Sequence, residues 1–151
     1  MNPDIQLLGP GDAHVLERVA PGVFDNEIDP IWTAEFLADP RHHLALALDE
    51  GVVVGMASGV HYVHPDKAPQ MFINEVGIAP SHRGRGLGRQ LVDRLVRHSI
   101  ELGCTEAWVL TDRSNTVAQR LYAGAGASLP EDCIMYTIHL APITALSTDR
   151  E

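Results

Sequence analysis

Three glycines and three arginines alternate in one short stretch, Arg83-Gly84-Arg85-Gly86-Leu87-Gly88-Arg89, between a strand-like run, Glu75–Ala79, and a run with helical spacing. Glycine lets the main chain approach a ligand closely, and the first N–H groups of a helix have no partner inside it. With the positive end of the helix dipole, such a loop is an anion site suited to a pyrophosphate. Arg83, Arg85 and Arg89 add charge beside it. A glycine-rich turn holding no ligand is the plain alternative. Two other phosphate-binding patterns do not fit: no Lys-Ser/Thr pair follows the last glycine, and the glycines do not follow G-x-G-x-x-G.

Other groups able to do chemistry lie nearby in sequence or scattered. Glu75 is a carboxylate at the head of the strand that feeds the loop, and His61 and His64 are potential bases just before it. A second cluster, Asp25, Glu27 and Asp29, gives the N-terminal region negative charge, although Asp29 before Pro30 reads first as a helix cap. His42–His43 and His61-x-x-His64 carry no cysteine or carboxylate at metal-site spacing, so no metal is expected. Cys104 and Cys133 are not spaced as a redox or zinc pair, and each reads as a small buried hydrophobe.

The elements that must position these groups follow from periodicity and breakers. Ile5–Leu8 reads as a strand ended by Gly9-Pro10-Gly11, and Asp12 as the N-cap of a short helix carrying Val15, Leu16 and Val19. Asp29-Pro30 starts a second helix with Ile31, Phe36 and Leu37 on one face. His43–Leu48, Val52–His61 and Gln70–Ala79 are three strands joined by short turns, an antiparallel meander. Leu87, Leu91, Leu95 and Val96 give Gly86–Leu102 helical spacing, with Gly103 as its C-terminal stop. Glu106–Leu110 is a strand, Asn115–Tyr122 a helix and Ile134–Leu140 a last strand. The order β-α-α-β-β-β-α-β-α-β predicts an α/β (α+β) fold with a mixed sheet.

Length and composition set the outer limits. The 151 residues fit one domain, 1–151, with a polar, frayed tail over 142–151. A hydrophobic share of 45% with 21% charged residues is globular, and no apolar run approaches the ~20 residues of a membrane span. The chain opens without a basic-then-apolar leader, which points to the cytosol. Its formal net charge of −9 disfavours nucleic acid and suits a cationic small molecule.

Arg83-x-x-Gly86-x-Gly88, after Val76-Gly77-Ile78-Ala79-Pro80, resembles the acetyl-CoA-binding motif of the GNAT superfamily. Asn115…Arg120-Leu121-Tyr122-x-x-x-Gly126 resembles that family's second landmark. The resemblance covers roughly the C-terminal half. It implies an acetyl-CoA-dependent N-acetyltransferase working by direct transfer to an amine in a ternary complex. Backbone groups of Arg83, Gly84, Arg85, Gly86, Leu87 and Gly88 would hold the pyrophosphate. Those of Val76, Gly77 and Ile78 would pair with the pantetheine arm, with Asn115 also touching the cofactor.

Tyr122 matches the tyrosine that protonates the departing thiolate, its other reading being core packing. Glu75 is the leading base, with a pKa raised by partial burial, and His61 and His64 are the reserves. Asp25, Glu27, Asn74 and Glu75 would line the acceptor site. The layout is also similar to the aminoglycoside 3-N-acetyltransferase branch, although that branch carries a tyrosine–aspartate pair where this chain has Asn74-Glu75. The acceptor implied is a cationic amine, an antibiotic among the options; a polyamine or a peptide amine is the alternative, and a CoA-binding sensor a further one. Small family members often dimerise, with the C-terminal strand available for it.

Overall fold

A computed structural model describes residues 2–141. The tail expected over 142–151 lies outside the described residues. Five strands form one sheet in the order β1-β2-β3-β4-β5: Asp4–Leu7, His42–Asp49, Val52–His64, Lys67–Ile78 and Glu106–Val109. The first four pair antiparallel, and β5 lies parallel to β4. Three α-helices accompany them: α1 (Pro30–Ala38), α2 (Leu87–Glu101) and α3 (Thr116–Gly124).

The mixed sheet is the one expected, with two local differences. The first expected helix is only a short 3-10 turn, Ala13–Glu17. Asp12 does not cap it; its carboxylate accepts instead from the Gly9 N–H at 2.8 Å, closing the preceding breaker. Asp29 does cap α1, accepting from the N–H groups of Ile31 and Trp32 at 2.8 and 3.0 Å. The second difference is at the other end. Ile134–Leu140 pairs with no strand among the described residues, and Ile134, Tyr136, Ile138 and Leu140 are largely exposed. Alternation supplies a strand-forming surface, but the partner edge must come from tertiary contact.

The core lies on both faces of the central strands, with α2 covering one of them. Leu44, Leu46, Val53, Met56, Met71 and Ile73 from the sheet are buried with Leu87, Leu91, Val92 and Leu95 of the helix. Alanines at 45, 47 and 57 are fully buried too, keeping the centre of the sheet thin. Gly55 lets α2 come close: a Cβ there would lie 3.1 Å from a Leu91 methyl. Of the two cysteines, Cys104 is half-buried and its thiol is pushed up by that burial. Cys133 is exposed, contrary to expectation, because the stretch around it finds no core to join.

His43, buried on β2, joins two other imidazoles. Its Nε2 lies 2.7 Å from His61 Nδ1 and its Nδ1 3.0 Å from His98 Nε2 on α2; His98 Nδ1 reaches Glu101 at 3.3 Å. One assignment satisfies every contact with all rings neutral: His61 donates to His43, His43 to His98, and His98 to Glu101. Burial, and then His98, His61 and His42, push the His43 pKa down to about 4, against a smaller opposing pull from Asp39. This tie engages His61 through Nδ1 alone. His64, at the end of β3, is hydrogen-bonded to Asp66.

Candidate active site

The site is built where β4 and β5 part. Their parallel ladder runs only from Gln70↔Glu106 to Ile73↔Val109. Beyond Ile73, residues 74–78 of β4 keep β3 on one side and no strand on the other. That opening is a splay between the two strands, and Val76, Gly77 and Ile78 lie along it. Ile78 is already partly committed: its carbonyl accepts from Arg83 Nε at 3.2 Å, which ties the loop back to the strand.

A β-bulge sits at the mouth of the splay. Ser58 pairs with Glu75 and Gly59 with Ile73, so Asn74 is the extra residue. Downstream of it, alternation places Val76 and Ile78 on the α2 face, and Ile78 packs where a Gly55 Cβ would sit. Glu75 and Gly77 take the opposite face. There the Val23 carbonyl oxygen presses on Gly77 so closely that a Cβ would overlap it. Glu75 therefore points to the side covered by the segment between the 3-10 turn and α1. It is exposed, so the partial burial expected of it is absent. The open face of the bulge leaves its carboxylate to solvent.

The glycine loop has the geometry of an anion cradle. Gly84 and Gly86 have φ of 74° and 77°, a left-handed backbone that side chains other than glycine rarely adopt, and open space lies beside both. Gly86 is the N-cap of α2 and offers no side chain, so nothing caps the helix's leading N–H groups, those of Leu87 and Gly88 among them. Gly88 permits close approach of α3: a Cβ there would lie 3.4 Å from a Leu121 methyl. Arg83 and Arg85 are exposed beside the loop. Arg89 is not free as expected; its Nε donates to both Asp93 oxygens at 2.9 and 3.0 Å, one helical turn along.

Tyr122 lies on α3, half-buried and packed against the core, and burial pushes its phenol above the ordinary value. The proton is therefore held firmly at neutral pH. Asn115 caps α3, its Oδ1 accepting from the Ala118 N–H at 3.1 Å. One amide end is thus committed to the helix, and the side-chain NH₂ is the part left to reach a ligand.

The acidic segment lines a cavity of about 1050 Å³ between the 3-10 turn and the start of α1. Asp25 and Glu27 are brought together there with Glu17, His14 and Phe24, while Asn74 and Glu75 are not part of its lining. Glu17 and His14 were not foreseen. They lie, exposed, on the polar side of the 3-10 turn, opposite its apolar residues, at the rim of the cavity. Among the described residues no group of three or more potential ligands could hold a metal.

The family model described as acetyltransferase (GNAT) family matches residues 14–127, which span both the splay and the glycine loop. The chain belongs to this family. It is an acetyl-transferring enzyme, an N-acetyltransferase of the kind that uses acetyl-CoA. An aminoglycoside N(6′)-acetyltransferase type 1 of Salmonella typhimurium is 32% identical over 100 residues, covering 62% of this chain and 69% of that protein. An L-2,4-diaminobutyric acid acetyltransferase of Streptomyces coelicolor is 33% identical over 113 residues, covering 71% of this chain and 63% of the relative.

Solved GNAT structures share the fold. An aminoglycoside acetyltransferase from an uncultured soil metagenomic sample, in complex with trehalose, superposes with a TM-score of 0.80 at 19% identity, over 91% of this chain and 96% of the other. AAC(6′)-Iy in complex with the bisubstrate analog CoA-S-monomethyl-acetylneamine gives 0.74 at 24% identity, over 91% and 98%. The aminoglycoside enzymes named for their position are thus N(6′) enzymes, not members of the 3-N branch that the sequence layout suggested. The GNAT part of that resemblance is shown, and the relatives named for a position support N(6′) homologues rather than the 3-N branch specifically.

Proposed function

We propose that this GNAT enzyme acetylates a primary amine of a cationic small molecule, of the aminoglycoside or a related polyamine class, by direct transfer in a ternary complex. The observation that carries this reading is the cavity shared by Glu17, Asp25 and Glu27 on the face to which Glu75 also turns. Three carboxylates around one cavity favour a ligand with several positive charges, and the net charge of −9 draws such ligands in. The names of the N(6′)-acetyltransferase relatives support the same acceptor class.

Acetyl-CoA would supply the acetyl group as a reactive thioester. The loop from Arg83 to Gly88 fits its pyrophosphate, because open space lies beside two left-handed glycines and the helix N–H groups have no side-chain cap. The free edge of β4 at residues 74–78 fits the pantetheine arm. Glu75 takes a proton from the incoming ammonium, directly or through water, since only the neutral amine is a nucleophile. Tyr122 keeps its proton until the thiolate leaves and then donates it. A cytosolic location suits a reaction that draws on acetyl-CoA.

A smaller diamino acid is the second acceptor reading, favoured by the diaminobutyric acid acetyltransferase match at 33% identity. Thiol release from acetyl-CoA, measured across aminoglycosides, polyamines, diamino acids and basic peptides, separates the readings. Turnover of aminoglycosides or polyamines well above diamino acids is expected; the reverse order would move the assignment to the smaller acceptor. In the same assay Tyr122→Phe should lower kcat about 10–100-fold while leaving CoA affinity intact. Unchanged kcat would make Tyr122 a packing residue only.

A further inference from the structure

Three aromatic rings gather where β3, β4 and β5 run side by side. Phe72 on β4 pairs with Trp108 on β5 and with Val60 on β3, and Tyr62 stands two residues further along β3. Trp108 is rooted at the sheet edge, yet its indole reaches back across β4. Its centroid lies 4.5 Å from that of Phe72, and its Nε1 donates to the Tyr62 hydroxyl at 2.9 Å. Tyr62 donates in turn to Gln70 at 2.6 Å, and Gln70 to Glu106 at 3.4 Å. The indole is thus held by Phe72 beneath it and by its own N–H, while the residue stays 38% exposed. A large ring fixed this way with surface left open is a preformed platform for a ligand.

The bulge at Asn74 puts this platform beside the proposed site. Phe72 pairs with Val60 and Glu75 with Ser58, and residues two apart on β3 share a face. Glu75 and the rings therefore look out from the same side of the sheet, about 7 Å apart along the strand. Without the extra residue Phe72 and Glu75, three positions apart, would take opposite faces. On this side α1 lies over β2, with Phe36 against His42, and Val60, Tyr62 and Phe72 are only half-buried.

We infer that the Trp108 indole is the platform on which one ring of the acceptor stacks, and that it selects amino sugars over linear amines. This rests on the acetyl transfer proposed above and narrows its acceptor. An amino sugar turns C–H groups, polarised by neighbouring ammonium groups, toward the electron-rich face of an indole. A ring on Trp108 brings an amine on the adjoining unit toward Glu75. Glu106, exposed and two residues further from Glu75 on the same face, suits a second ammonium. A linear polyamine covers little of the indole and loses more freedom when it is fixed there.

Steady-state acetyl transfer to neamine and to spermidine, for the parent, Trp108→Ala and Trp108→Phe, tests the inference. Trp108→Ala should raise KM for neamine about tenfold. KM for spermidine and for acetyl-CoA, and kcat for both amines, should stay within about twofold. Trp108→Phe restores a ring without the N–H and should recover most of the neamine affinity. An unchanged neamine KM in Trp108→Ala, or an equal rise for both amines, would overturn the platform while leaving acetyl transfer standing. Should the parent turn over neither amine, the proposed acceptor class fails and binding decides the platform. In a Trp32→Phe background Trp108 is the one indole left. Neamine added to the CoA-loaded protein should then shift its emission, and spermidine should not. No shift with neamine would overturn the inference.

Discussion

The centre of the sheet and its β5 edge are built from similar residues yet differ in almost every physical respect. In β2 and the first half of β3, side chains are buried on both faces, so residues 43–47 and 53–57 are inaccessible without a break. In β5 only Val109 is even half-buried, and Trp108 is held from one side by Phe72, at 4.5 Å between ring centroids, and by a 2.9 Å hydrogen bond to the Tyr62 hydroxyl. The first region is fixed by packing; the second is left open. The proposed site sits on the seam between them, where β4 loses β5 and gains a bulge. In that reading a rigid half positions the reacting groups, and an unfilled half leaves room for what they act on.

Substitutions on the two sides should expose that contrast. The largest effect is expected at Gly77→Ala, where the added methyl meets the Val23 backbone rather than a yielding side chain. A loss of about 3 kcal/mol, or roughly 6–12 °C in Tm, is expected by thermal unfolding. A Tm within 2 °C of the parent would show that the segment over β4 yields readily, and the rigid half would shrink by that much.

Acid should weaken the same half. The His43 pKa is pushed down to about 4 from an ordinary 6.5, so the unfolded chain binds its proton first. The stability that the neutral ring contributes is complete above pH 6.5 and lost as the pH falls toward 4. His61 is shifted in the same direction, by burial first and then by Arg41 and His98. Tm should therefore fall between pH 7 and pH 5, and His43→Leu should fall less over that interval. Parallel curves for the two proteins would remove the imidazole chain from the account.

The smallest effect belongs to the open half. Val117, at the start of α3, is 74% exposed, and Val117→Ala should change stability by less than about 0.5 kcal/mol in denaturant unfolding. A loss above 1 kcal/mol would mean that this surface is covered in solution.

Much of this was legible beforehand because it is local. The glycine loop, α2, the meander and the cap at Asp29 each depend on residues a few positions apart, and the structure places them within a few positions of expectation. Glu75 shows the limit. Its type and its place before the glycine loop mark it, but the face it takes depends on the bulge at Asn74, and its exposure on what packs over β4. Arg89 shows another: its charge is plain in the sequence, yet Asp93 one turn along claims it. His61 shows a third: contacts 18 and 37 residues away, to His43 and then His98, tie its Nδ1 into a partly buried chain of imidazoles.

The sequence by itself determined the order of elements through α3, the glycine loop and the family, because helix spacing, glycine freedom and unpaired helix N–H groups are properties of neighbouring residues. Tertiary structure alone decided which face Glu75 and Gly77 share, which acidic residues line one cavity, and whether Ile134–Leu140 becomes a strand. Those outcomes turn on register and on a partner edge, and a strand cannot carry its own partner.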